Sequence, residues 1–142
     1  MGELKELAAE AKHELLTHII PFWRGMRDDK FGGYYGYLSY DLALDEKAEK
    51  GCILNSRITW FFANAYLLYK DGGISEEECE AAGFKGEDLL AEAKHGYKFL
   101  REHCIDKEYG GIFWSLNYDG TPLDTTKHPY NQAFCIYALS SY

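Results

Sequence analysis

Four stretches of the chain show the spacing of hydrophobic residues that is typical of α-helices. In the first, apolar residues from Leu4 to Ile19 recur every three or four positions with charged residues between them. This spacing predicts a helix that is packed on one face and ended by Pro21. The second stretch, Ile58 to Tyr69, contains no charged residue. A helix of this composition is predicted to be buried on nearly all sides.

The other two stretches repeat this pair of patterns. Glu87 to His103 has one apolar stripe opposite a charged side, and Tyr130 to Leu139 again carries no charge. This alternation predicts a two-layered array of helical hairpins, with amphipathic helices outside and apolar helices inside. A curved or closed α/α toroid satisfies it. A binding site would then lie where the starts of the inner helices meet the loops.

Turn residues mark the segments between the helices. Phe22 to Ala48 is rich in glycine and tyrosine, and its alternation from Tyr35 to Ser39 predicts a short hairpin or an extended arm. Asp71-Gly72-Gly73 predicts the end of the second helix. Ser75, which is followed by three glutamates, predicts the start of a short additional helix.

The chain contains an internal repeat. The segments Asp29–Asp41 and Asp106–Asp119 share one pattern, and their glycines Gly32 and Gly110 lie 78 positions apart. The match resumes at two later pairs, Lys50 with Lys127 and Asn55 with Asn131. Stacked repeats usually need at least ~3 units and end caps. Because only two units are present and no stop signal precedes Tyr142, we expect the chain to be the first part of a larger protein.

Composition and charge exclude several classes of function. The 142 residues, of which 46% are hydrophobic, suffice for one globular domain. A net charge of −8 argues against nucleic acid and anionic membranes as partners. No segment approaches the ~18 apolar residues of a membrane span, and no signal peptide pattern opens the chain, so we expect a cytoplasmic protein. The four cysteines form no C-x-x-C pair, which favours reduced thiols over disulfides or a metal site.

Five strings of residues occur in an order and at a spacing that match a known family. They are Ile20-Pro21-Phe22-Trp23, Arg27-Asp28-Asp29, Gly32–Tyr37, Ile53–Ile58 and Lys127–Phe134. Together they resemble the cellobiose 2-epimerases of the N-acylglucosamine 2-epimerase superfamily, over nearly the whole chain except an insertion from about Ile74 to Gly86. The resemblance implies an all-α fold, an (α/α)6 barrel with short β-hairpin arms between its helices. Residues 1–142 would form the N-terminal portion of this single barrel domain, with about four of its helices.

The resemblance also implies a reaction that needs no cofactor. The family inverts C2 of the reducing-end glucose of cellobiose and related β-1,4 disaccharides, which yields a mannose end. A proton beside the carbonyl of the ring-opened sugar leaves and returns to the opposite face through an enediolate. This chemistry requires bases with a pKa near the working pH and a cationic group at the enediolate oxygen. We expect a full-length monomer, and self-association of the isolated chain through its uncovered edges.

Four residues are candidates for the site. Arg57 matches the family's arginine and would stabilise negative charge at the sugar carbonyl through its paired donors. The resemblance makes Tyr130 a pocket residue, with Trp114 and Asn55 as further substrate contacts, the tryptophan through stacking on a sugar face. Two alternatives remain open. Asn55 or Ser56 could cap a helix from which Arg57 points to water, and Trp114 could be a packed hairpin residue.

The acid and base of the family are histidines on later inner helices, and no residue of this chain matches them. Four of the five histidines fall on the predicted outer helices: His13, His18, His95 and His103. The fifth, His128, lies close to Tyr130 but matches no catalytic position. We therefore expect the chain by itself to lack the acid/base pair.

Other functions remain open on the sequence. A glycoside hydrolase of the α/α-barrel type needs two carboxylates at a fixed separation, and Asp28, Asp29, Asp106 and Glu108 are available. However, Asp29 and Asp106 head the two Gly-Gly turns, which indicates turn chemistry. An epimerase or isomerase of the same superfamily that acts on N-acylglucosamine or mannose is a closer alternative. A non-catalytic helical repeat module that binds a protein partner is the third.

Overall fold

The computed structural model describes residues 2–142, and its first helical segment continues through Pro21. The segment consists of α1 (Gly2–Glu14), one π-helical turn (Leu15–Ile19) and α2 (Ile20–Gly25). In the π turn, the Ile20 N–H donates to the carbonyl of Leu15, five residues earlier. Pro21 has no N–H to donate, and it lies in the first turn of α2, where none is needed. The prediction that Pro21 ends the helix is therefore wrong.

The remaining helices occur in the predicted order, although the first of them begins at Cys52, well before the predicted start at Ile58. They are α3 (Cys52–Lys70), α4 (Glu76–Ala81), α5 (Gly86–Phe99) with a second π turn (Leu100–Cys104), and α6 (Pro129–Ser141). After α3 the chain turns at Gly72, whose φ of +77° lies in the left-handed region that glycine tolerates. Ser75 starts α4 through a reciprocal capping box with Glu78. Within residues 2–142, no helix is long and apolar enough to cross a membrane.

The helices form two layers, with α3 in contact with both α5 and α6. One hydrophobic cluster joins α2, α3 and α5 through residues such as Ile20, Phe62 and Leu89. A second cluster joins the start of α3 to the second π turn and to α6, through Cys52, Leu100 and Cys135 among others. The prediction of alternating outer and inner helices is confirmed for α3 and α5 by this packing.

Two helices are less buried than the pattern predicts. The segment α1 buries none of its residues, although it carries an apolar stripe. Along α6 only three residues are buried, and Ile136 and Tyr137 are exposed. The physical reason is that α6 packs against α3 and the second Gly-Gly arm, while much of the surface of Ile136 and Tyr137 is not covered by other parts of residues 2–142. An apolar helix is buried all round only where neighbours are present all round.

A small antiparallel sheet ties the two repeats together. Its strands are β1 (Lys50–Gly51), β2 (Ser115–Leu116) and β3 (Pro122–Asp124), in that spatial order. The predicted hairpin from Tyr35 to Ser39 is not a strand pair. That segment forms an extended arm with isolated bridges, such as the one between Leu38 and Leu44. Since β1 leads into α3 and β3 precedes α6, the sheet brings the starts of both inner helices to one end.

The two Gly-Gly turns have the same hydrogen bonds, headed by Asp28 and Asp106. The Oδ1 atom of Asp28 accepts N–H groups from the second and third residues after it, at 2.8 and 3.1 Å. Asp106 does the same at 2.9 and 3.1 Å. Turn chemistry is thus confirmed for Asp106. In the first repeat its counterpart is Asp28, not Asp29, whose carboxylate instead pairs with Arg27 at 2.7 Å.

Candidate functional site

The start of α3 is held by the arm that precedes β2. The Cys52 N–H, the first of the helix, donates to the carbonyl of Trp114 at 3.0 Å, and the Trp114 N–H donates to the carbonyl of Asp124 at 3.0 Å. The first residues of α3 and the segment leading to α6 are therefore fixed to the same sheet. All four residues predicted to form the site lie on or next to these elements.

Arg57 lies in the second turn of α3, with an exposed side chain. Its guanidinium carbon is 5.8 Å from the centre of the Phe134 ring on α6. Within residues 2–142, the guanidinium group forms no ion pair with a carboxylate. Its planar set of donors thus remains available to a ligand.

The alternative in which Asn55 or Ser56 caps the helix is wrong. The N-cap of α3 is Gly51, which has no side chain to cap with. Asn55 and Ser56 lie inside the first turns, and both are fully buried. Arg57 is nevertheless exposed, as that alternative supposed. A helix turns by about 100° per residue, so the side chain of Arg57 points roughly opposite to that of Asn55, two positions earlier.

Tyr130 contacts the same aromatic ring as Arg57. Its ring meets Phe134 edge to face, with ring centres 4.9 Å apart, and its side chain is 60% exposed. Tyr130 lies in the first turn of α6, four residues before Phe134. The structure therefore brings Arg57 and Tyr130, which are far apart in sequence, to one aromatic side chain.

Trp114 lies beside the residue that precedes α6. Its ring packs edge to face on His128, the N-cap residue of α6, with ring centres 4.8 Å apart. The Trp114 side chain remains partly exposed. Because its backbone binds both α3 and β3, the ring is held at the end where both inner helices begin. The packed and the ligand-facing interpretations of Trp114 both agree with this position.

Asn55 has a supporting position in the structure. Its Oδ1 atom accepts the Tyr34 N–H at 2.9 Å, and its Nδ2 donates to the carbonyl of Gly51 at 3.1 Å. The side chain is completely buried. Asn55 therefore links the first Gly-Gly arm to α3, and in this structure it presents no surface to a ligand.

A cleft of about 290 Å³ has Arg57 in its wall. It is lined by Trp23, Leu54, Arg57, Ile58, Trp60 and Phe61. The walls are apolar and aromatic around one cationic group, a composition that suits stacking on a sugar face beside a polar contact. None of its aromatic residues is among the four candidates predicted from the sequence. The spacing of three and four residues along α3 around Arg57 was the signal available for Trp60 and Phe61.

Two of the carboxylates available to a hydrolase, Asp28 and Asp106, are engaged in the Gly-Gly turns. Burial of Asp28 opposes ionisation, but hydrogen bonds from Lys50 and from the turn backbone outweigh it and lower the pKa of this carboxyl. The hydrogen bond from Lys127, followed by those from the turn, lowers the pKa of Asp106 to about 2. Both groups are permanently ionised acceptors in the turns at neutral pH, so neither suits the role of a general acid.

Most of the histidines have structural partners. His95 lies 2.9 Å from the carbonyl of Gly33, and His103 lies 3.2 Å from that of Gly120. His18 pairs with Glu14 at 3.0 Å on the outer layer.

Within residues 2–142, no group of three His, Cys, Asp or Glu side chains is arranged to hold a metal ion. The four cysteines are buried free thiols, and burial raises the pKa of Cys135 to about 11.

The sequence profile of the N-acylglucosamine 2-epimerase family matches residues 33–142. This chain belongs to that family. Among curated members, the cellobiose 2-epimerase of Ruminococcus albus is 52% identical over 136 residues, which are 96% of this chain and 31% of that protein. The cellobiose 2-epimerase of Eubacterium cellulosolvens is 53% identical over 129 residues, or 91% of this chain and 28% of that protein. The chain thus spans about a third of the length of the curated relatives it matches.

Solved structures of the family have the same fold in this region. A sugar epimerase from a ruminal bacterium superposes with a TM-score of 0.82 at 51% identity, over 96% of this chain and 31% of that one. The cellobiose 2-epimerase of Bacillus thermoamylovorans B4167 superposes with a TM-score of 0.85 at 40% identity, over 97% and 32%. These relatives are (α/α)6 barrels. The predicted fold class is confirmed, and the chain corresponds to about a third of such a barrel.

Proposed function

We propose that this chain forms part of a cellobiose 2-epimerase, an isomerase that inverts C2 of the reducing-end glucose of cellobiose and related β-1,4 disaccharides. Residues 1–142 would be the N-terminal portion of one barrel domain. The observation that carries the proposal is the exposed guanidinium group of Arg57, which forms no ion pair within residues 2–142 and lies where the inner helices begin. The 52% identity to the Ruminococcus albus cellobiose 2-epimerase supports this choice of substrate.

The chemistry assigns one task to Arg57. Removal of the proton at C2 of the ring-opened sugar leaves an enediolate, whose negative charge collects on the oxygens at C1 and C2. A guanidinium group donates two parallel N–H groups to such a pair of oxygens and lowers the energy of the intermediate. In this proposal Tyr130 contacts the sugar beside Arg57, and Trp114 stacks on a sugar face. Asn55 fixes the first Gly-Gly arm to α3.

The proton transfers are assigned to groups that this chain does not contain. His128 is the histidine nearest to Tyr130 in sequence, and its ring packs on Trp114. In this proposal it belongs to the rim of the site. The acid and base would come from histidines on later inner helices, as in the family that the sequence resembles.

We further propose that the whole protein is a cytoplasmic monomer. Its four buried free thiols suit a reducing compartment.

The test is to incubate the protein, expressed from its full reading frame, with cellobiose in D2O and to follow the sugars by NMR. We expect a disaccharide with a reducing-end mannose and with deuterium at C2, because the proton returns from a base that exchanges with solvent. Free glucose would instead identify a hydrolase. Conversion of only N-acylglucosamine or mannose would identify a sister activity, and no conversion of any of these sugars would favour a binding module.

A further inference from the structure

Phe134 is the side chain that Arg57 and Tyr130 share. Its ring centre lies 5.8 Å from the Arg57 guanidinium carbon and 4.9 Å from the centre of the Tyr130 ring. The helix that carries it is anchored, because Asn131, Cys135 and Ala138 on α6 are buried. Phe134 is therefore a fixed surface against which two exposed side chains rest.

A ring in this position orients an arginine without occupying its hydrogen-bond donors. The attraction between a guanidinium group and an aromatic ring acts between the positive charge and the π face, so it needs none of the N–H groups. An ion pair with a carboxylate would hold the side chain more firmly but would use the donors that a sugar oxygen needs. Contact with Phe134 restricts Arg57 and leaves its N–H groups free.

We propose that Phe134 is a positioning residue of the epimerase site, which aligns Arg57 and Tyr130 with the reacting end of the sugar. This inference rests on the proposed function. Phe134 would not touch the reacting atoms, and its effect would be transmitted through Arg57. Because the position of an electrophilic group matters more in the transition state than for binding, its loss should lower kcat more than it raises KM.

The same pair of helices offers a matched control. Tyr137, one turn after Phe134 on α6, stacks on Trp60 of α3 with ring centres 5.2 Å apart. This is a second aromatic contact between α3 and α6, and it does not involve Arg57. The change Tyr137→Leu therefore removes a similar amount of packing from the same interface without touching the proposed alignment.

The experiment compares Phe134→Leu, Phe134→Tyr and Tyr137→Leu by steady-state epimerisation of cellobiose with the protein from its full reading frame. We expect Phe134→Leu to lower kcat by about 10- to 100-fold with a smaller change in KM. Phe134→Tyr keeps the ring and should restore most of kcat. Tyr137→Leu should keep kcat within about threefold of wild type, and because its partner Trp60 lines the cleft beside Arg57, it should act mainly on KM. If Phe134→Leu does not fold by circular dichroism, Phe134→Met, whose unbranched and flexible side chain adapts to the space left by the ring, replaces it in the same comparison.

A double variant shows whether Phe134 acts through the arginine. If it does, Phe134→Leu should cost little further activity in an Arg57→Lys background, because the group it aligns is already changed. Additive losses, or equal losses in Phe134→Leu and Tyr137→Leu, would overturn the positioning role and leave Phe134 as a packing residue. Absence of epimerisation by the wild-type protein would overturn the proposed function instead, so the two failures are distinct.

Discussion

The Lys50 ammonium nitrogen lies 2.5 Å from a carboxylate oxygen of Asp28, and neither side chain is more than 1% exposed. Lys50 also donates to the carbonyl of Gly32 at 2.7 Å, so it closes the first Gly-Gly turn from inside. The second repeat has the corresponding pair, Lys127 and Asp106, at 2.6 Å, but with 30% and 11% of these side chains exposed. One interaction therefore occurs twice in this chain, once buried and once near the surface.

The two pairs should differ in their contribution to stability. Lys50→Met leaves the Asp28 carboxylate buried without its countercharge, and we expect the free energy of unfolding to fall by about 3–5 kcal/mol. Lys127→Met should lower it less, because solvent reaches the Lys127–Asp106 pair and screens the charge that remains. Urea unfolding of the two variants measures the difference. Equal losses would contradict the assignment of the larger contribution to the buried pair.

The carboxyl of Asp106 should affect how the free energy of unfolding depends on pH in the acid range. Its pKa in the folded protein is lowered from its ordinary value of 3.8 to about 2, chiefly by Lys127. A depressed pKa stabilises the folded state above the unfolded value, and this contribution disappears as the pH falls through the folded value. We therefore expect Asp106→Asn to flatten the loss of stability between about pH 4 and pH 2. Urea midpoints across this range test it, and a slope as steep as that of wild type would contradict it.

The two Gly-Gly turns should respond differently to alanine. Gly33 has a φ of +68°, and a Cβ there would lie 2.6 Å from the ring of Phe99 and 2.7 Å from Oδ1 of Asn55. Gly110 has a similar φ of +73°, but a Cβ there would meet nothing within 4 Å.

We expect Gly110→Ala to cost about 1–2 kcal/mol, from backbone strain alone. Gly33→Ala should cost about 2–5 kcal/mol, since it adds the displacement of packed side chains to the same strain. Thermal unfolding of both variants provides the comparison. If Gly33→Ala proved no worse than Gly110→Ala, the close packing of the first arm on α5 would be in doubt.

Arg57 should matter for activity and not for stability. The change Arg57→Lys keeps the positive charge but loses the paired, planar donors, and we expect kcat/KM for cellobiose to fall by about 10²- to 10³-fold. The melting temperature should hardly change, because the side chain is exposed and forms no ion pair within residues 2–142. Retained activity, or a lower melting temperature that accounts for the loss, would count against the proposed role.

Asn55 and Arg57 show how far sequence reasoning reaches within one helix. Both were selected from the same string of residues, and both lie on α3, which begins at Cys52, before the apolar stretch that predicted this helix. Their two-residue separation places Arg57 at the surface and Asn55 inside the protein, where it binds the backbone of Tyr34. Which of the two would face a ligand depends on how α3 packs against the first arm, and the spacing alone does not contain that information.

The sequence by itself determined the helices, their order, the turn between α3 and α4, and the internal repeat. These features depend on side-chain periodicity, on capping residues and on glycine, all of which act between near neighbours along the chain. Only the tertiary structure decided that the first helix continues through Pro21 and that Arg57 and Tyr130 meet at Phe134. Each of these outcomes depends on local backbone geometry or on partners distant in sequence, and these are set when the elements pack together.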